Sequence, residues 1–111
     1  MTPEERYASI VESVAGEPNV SHADETRPKN QFGSGALTID GRIFAMLSRG
    51  RLVLKLPRRR VDELVASGDG ERFDPGHGRI MKEWFSLNPD SRQGWLPLAT
   101  EAMEFVGSRR P

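Results

Sequence analysis

Tyr7, Ile10, Val11 and Val14 recur at the i, i+3, i+4, i+7 spacing that lines one face of an α-helix. Thr2 suits the N-cap of that helix, Pro3 its first position, and Glu5 completes a capping box, while Gly16 and Pro18 end it. Residues 17–34 lose this periodicity and are rich in Pro, Gly, Ser and Asn. They read as a long loop with room for a short edge strand near Val20.

From Ala36 to Leu56 the apolar residues crowd closer together, punctuated by Asp40-Gly41 and Arg49-Gly50. Both dipeptides suit two-residue hairpin turns, although Arg is a less favourable first turn residue than Asn or Asp. Regular pairing across the first turn sets Ile39 opposite Arg42, Leu37 opposite Phe44 and Ala36 opposite Ala45. Pairing across the second sets Leu47 opposite Leu52, Ala45 opposite Leu54 and Ile43 opposite Leu56. Strict alternation then divides the meander into two faces. Ala36, Thr38, Ile43, Ala45, Leu47, Leu52, Leu54 and Leu56 face the helices. Leu37, Ile39, Arg42, Phe44, Met46, Arg51, Val53 and Lys55 face away.

Pro57 can open a second helix with Val61, Leu64 and Val65 turned inward and Gly68 as its stop. Glu71 to Asp74 reads as a short strand, and Pro75-Gly76-His77-Gly78 as a turn. Ile80 to Leu87 reads as a further strand, with Met81, Glu83, Phe85 and Leu87 on one side and Lys82, Trp84 and Ser86 on the other. A last helix is expected from Asp90 or Ser91, with Trp95, Leu98, Ala99, Ala102, Phe105 and Val106 as its stripe. The order of helix, meander, helix, hairpin, helix predicts an α+β fold: one domain with an antiparallel sheet of about five strands and helices packed on one face.

The 111 residues carry 16 basic and 16 acidic side chains and no Cys. That excludes disulfides, thiolate metal sites and Cys nucleophiles. Neutral charge argues against nucleic-acid binding by bulk electrostatics. The charge is unevenly placed, however: Arg42, Arg49, Arg51, Lys55, Arg58, Arg59 and Arg60 fall between Gly41 and Val61 with no acidic residue among them. No apolar run is long enough for a membrane span, and Met1 to Arg6 lacks the apolar stretch of a signal peptide. A cytoplasmic location is the expectation.

Four segments, "FGSGALTIDGRIFAML" (32–47), "GRLVLKLP" (50–57), "VDELVASGDGERFDPGHGRIMKEW" (61–84) and the helix carrying Trp95 and "EAMEFV" (101–106), resemble the N-terminal domain of the TfoX/Sxy family. A more distant resemblance is to the YjbR/MmcQ group. The resemblance implies a small α+β domain similar to the secretion-chaperone fold. Founding members regulate natural-competence genes and carry a second helical domain after this one, which has no counterpart in these residues. It implies no catalytic residue and no cofactor.

The first candidate site is the outward sheet face. There Leu37, Phe44, Met46 and Val53 would form an apolar centre ringed by Arg42, Arg51 and Lys55, a docking surface for a protein partner or a second copy. The alternative is an anion or nucleic-acid surface adding Arg49, Arg58, Arg59, Arg60, His77 and Arg79. Cations at a helix start oppose the macrodipole, although Arg58 with Asp62 and Arg59 with Glu63 have the spacing of ion pairs. His22 and His77 lack the clustered carboxylates of a metal site. Phe32-Gly33-Ser34-Gly35 lacks the spacing of a nucleophile elbow, and Gly68-Asp69-Gly70 follows a helix where a phosphate cradle would precede one. Glu83 is the best single carboxylate, expected to pair with a basic neighbour. The expected role is a non-catalytic interaction or regulatory module.

Overall fold

In a computed structural model, which describes residues 2–22, 36–73 and 83–108, helix α1 spans Pro3–Val14. The capping box forms as the sequence predicts: Thr2 Oγ1 accepts from the Glu5 amide at 3.1 Å, and Glu5 Oε1 accepts from the Thr2 amide at 3.0 Å. Strand β1 (Val20–His22) confirms the short edge strand. The meander follows as β2 (Leu37–Ile39), β3 (Arg42–Ser48) and β4 (Arg51–Lys55). Then come α2 (Arg58–Ala66), β5 (Gly70–Arg72), β6 (Trp84–Leu87) and α3 (Trp95–Ser108). The six strands form one antiparallel sheet in the order β1-β2-β3-β4-β6-β5.

Both hairpin turns form. Asp40 and Gly41 have φ of 53° and 80°, and Arg49 and Gly50 have 53° and 77°. Positive φ at both central residues marks type I′ turns, whose twist matches that of the flanking strands. The β3–β4 register is the one predicted as far as it runs, with Leu47 opposite Leu52 and Ala45 opposite Leu54, but the expected pair of Ile43 with Leu56 is not part of it, and the two side chains pack in different clusters. The β2–β3 register is not the one predicted. Ile39 faces Arg42 and Thr38 faces Ile43, but Leu37 then faces Ala45. Phe44 is an extra residue in the ladder, a β-bulge.

The bulge corrects the expected division into faces. Leu37 and Phe44 belong to the main core with Ala45, Leu52, Leu54 and Leu56, and Ile39 packs against them. Ile43 and Ala36 lie instead with Met46 and Val53 in a second cluster. Alternation assumed an unbroken ladder, and one inserted residue reverses the phase of everything before it. Residues Phe85 and Leu87 join the main core while Trp84 joins the second cluster, as the β6 alternation predicts.

All three helices cover the main-core face. α1 contributes Tyr7, Ile10 and Val14, α2 contributes Val61 and Leu64, and α3 contributes Trp95, Leu98, Ala99, Ala102, Met103 and Val106. Arg6 lies over the Trp95 ring, 4.1 Å from its centroid, and ties α1 to the start of α3. Helix α3 begins at Trp95 and not at Asp90 or Ser91. The residues before it are held in turns: Asn88 Oδ1 accepts from the Asp90 amide at 3.0 Å, and Ser91 Oγ accepts from the Gln93 amide at 3.0 Å.

Candidate interaction surface

The apolar centre expected on the outward sheet face is not open to a partner. Phe44 and Leu37 lie inside the main core at 0% and 1% exposure. Met46 and Val53 do point to the other side of the sheet, yet at 2% and 0% exposure they too are buried. Half-buried Ile43, Phe73 and Trp84 pack against them, and no residue of the described helices takes part in this cluster.

The cations around this face have separate engagements. Arg51 grips the end of β6: its Nε donates to the Leu87 carbonyl at 3.2 Å and one terminal nitrogen to the Ser86 carbonyl at 3.3 Å, while the other meets Glu71 at 3.1 Å. Its charge therefore joins β4 to β6 and β5 and does not ring an open patch. Lys55 Nζ stands 5.8 Å from the Trp84 ring centroid, where the ring face attracts a cation. Arg42 is exposed at the start of β3.

The remaining basic residues divide in the same way. Arg60 reaches across from α2 to α3, with Nε 3.1 Å from one Glu101 oxygen and a terminal nitrogen 3.4 Å from the other. It also meets Glu63 at 3.4 Å. Burial disfavours its charge, but the Glu101 and Glu63 carboxylates outweigh that and hold the guanidinium above its ordinary value. Asp62 pairs with Arg72 of β5. The pairs expected within α2, Arg58 with Asp62 and Arg59 with Glu63, do not form, because both carboxylates turn to other arginines. Arg58 and Arg59 stay exposed, without an ion pair among the described residues. Arg49 is exposed at the tip of the β3–β4 hairpin, at the far end of those strands from Arg42, Lys55 and α2. The basic stretch therefore does not converge on one surface. His77 and Arg79 lie outside the described residues.

Sequence reasoning missed two polar arrangements. Tyr7 extends from α1 to the bulge, where its hydroxyl donates to the Ala45 carbonyl at 3.4 Å. Burial pushes its phenol well above the ordinary tyrosine range, against a backbone hydrogen bond from Leu37 that favours the phenolate. Asp69 is the other: its carboxylate accepts from Ser67, from Ser91 at 2.8 Å and from Gln93 at 3.4 Å. Those bonds hold its carboxyl below the ordinary aspartate range, and the Asn88 amide donates to its carbonyl at 2.8 Å. A single Asp after a helix-ending glycine carries no signal of partners twenty residues away, whereas Tyr7 was legible as a core residue though not as a donor.

No group of three or more His, Asp or Glu side chains suited to a metal occurs among the described residues. No helix among them is long and apolar enough to cross a membrane.

A family model described as the TfoX N-terminal domain matches residues 19–106. The chain belongs to the TfoX N-terminal domain family. The match runs from the turn before β1 almost to the end of α3, so the whole sheet, α2 and most of α3 fall within it and α1 precedes it. No curated protein and no solved structure matches the chain.

Proposed function

We propose that this TfoX N-terminal domain is a non-catalytic interaction module that engages an acidic protein partner at the arginine corner where α2 begins. The observation that carries this reading is the state of Arg58 and Arg59. Both are exposed, and both stand at the positive end of a helix with no acidic residue in its first turn and no side-chain cap. Such placement costs each a few tenths of a kcal/mol, roughly, in the free domain. Arg51, Arg60 and Arg72 nearby in sequence are committed to internal partners, so these two are left for an external anion. An acidic segment laid across the corner would turn the unfavourable field into attraction.

Nucleic acid, the other reading of the 42–60 stretch, has less support. Arg49 is remote from the corner, and the neutral chain supplies no broad phosphate-binding field. Crosslinking in cells should compare the wild type with Arg58→Glu/Arg59→Glu, each with and without nuclease. A protein species held by the wild type, lost in the variant and indifferent to nuclease supports the reading. Equal capture by both chains removes it, and nuclease-sensitive capture that falls steeply with salt replaces it with phosphate binding.

A further inference from the structure

Three features meet at one point of the sheet. Opposite β2, β3 carries the extra residue Phe44. The Tyr7 hydroxyl arrives there from α1, donating to the Ala45 carbonyl and bonded to the Leu37 backbone. Leu37 and Ala45 are also the pair that closes the bulge. A bulge interrupts the ladder and strands backbone groups that a buried site must still satisfy. The phenol, being both donor and acceptor, serves both sides of the interruption.

The same hairpin has a second pairing within reach. With Ile39 kept opposite Arg42, an unbroken ladder would set Leu37 opposite Phe44 and Ala36 opposite Ala45. The far half of β3 is held by β4 through Ala45–Leu54 and Leu47–Leu52, so the near half would have to turn over. Leu37, Ile39 and Phe44 would move to the outer face, and Thr38 and Ile43 would move in.

We propose that α1 is a register latch: its Tyr7 hydroxyl holds β2 and β3 in the bulged pairing, and withdrawing it lets this end of the sheet populate the unbroken one. Docking of α1 and the side on which Phe44 lies are thereby one coupled equilibrium. A ligand that prefers either pairing changes the docking of α1 by the same factor, by linkage.

Tyr7→Phe keeps the ring and removes the hydroxyl. Val61→Ala weakens the same core from α2 and leaves α1 unaltered, and serves as the control. In Tyr7→Phe, the amides of Leu37 and Ala45 should exchange with solvent about ten-fold faster relative to those of β4. Cross-strand NMR contacts between Leu37 and Phe44 should appear beside those between Leu37 and Ala45. Val61→Ala should speed the core amides by a common factor and add no new contact. If Tyr7→Phe behaves like that control, with Leu37–Ala45 the sole pairing, the hydroxyl is one more structural bond and the latch is wrong.

Discussion

Arg51 Nε donates to the carbonyl of Leu87 at 3.2 Å, so a side chain on β4 closes the end of the neighbouring strand β6. Together with the bonds to Ser86 and Glu71, the planar guanidinium fits three acceptors that one ammonium group cannot reach in the same geometry. Arg51→Lys should destabilise the fold by about 1–2 kcal/mol, and Arg51→Ala by about 2–3 kcal/mol. Urea denaturation checks both. A charge reversal at Arg51 would therefore report lost stability before it reported any lost partner.

Gly70 is required by the approach of β6. A Cβ there would lie 2.2 Å from the Ser86 carbonyl oxygen and 2.5 Å from Phe85 Cζ. Neither atom can yield cheaply, since one is backbone and the other belongs to a ring at 0% exposure. Gly70→Ala should cost about 3 kcal/mol through overpacking and a displaced β5, read as a lower thermal midpoint and faster amide exchange in β5.

Arg49 pays for its place with a φ of 53°. Asn tolerates the left-handed region better than Arg. Arg49→Asn should stabilise the domain by about 0.5–1 kcal/mol, raising the thermal midpoint by a few degrees. An unchanged midpoint would mean that the exposed guanidinium compensates for the turn.

The Asp69 carboxyl is held below its ordinary value first by Ser67 and Ser91, then by Gln93. A depressed folded value means that the unfolded chain takes up this proton first as the pH falls. The stabilisation is thus fully present above the ordinary aspartate value of 3.8 and is lost as the pH drops through the lowered one. Glu5, lowered by Thr2, adds in the same direction. Urea midpoints should fall across this acid window, and Asp69→Asn should show a shallower fall than the wild type.

The helical stripes, the capping box and both I′ turns were legible because each depends on residues within four positions of one another. Tyr7, Ile10 and Val14 needed only a period, and Asp40-Gly41 only a dipeptide. The face of Phe44 was not legible in this way. Its place depends on a hydroxyl that comes from residue 7 and on a ladder broken at one position, and alternation carries no trace of either. The ion pairs failed for a related reason. Asp62 and Glu63 had partners at helical spacing, but Arg72 and Arg60 compete for them from β5 and from within α2. That competition leaves Arg58 and Arg59 without these two carboxylates, and the spacing within α2 alone cannot announce it. On the outward face Met46 and Val53 are buried with none of the described helices above them, under Ile43, Phe73 and Trp84, and strand alternation carries no sign of that cover.

The two I′ turns also bear on the entropy of assembly. They join β2, β3 and β4 through the shortest connections a hairpin allows, so closing the meander costs little chain entropy. The contact of Val53 with Ser86 must instead gather all of α2 and β5 between its ends. The meander is therefore the part of the sheet that closes at small entropic cost, while β6 and its Arg51 clasp close over a much longer stretch of chain.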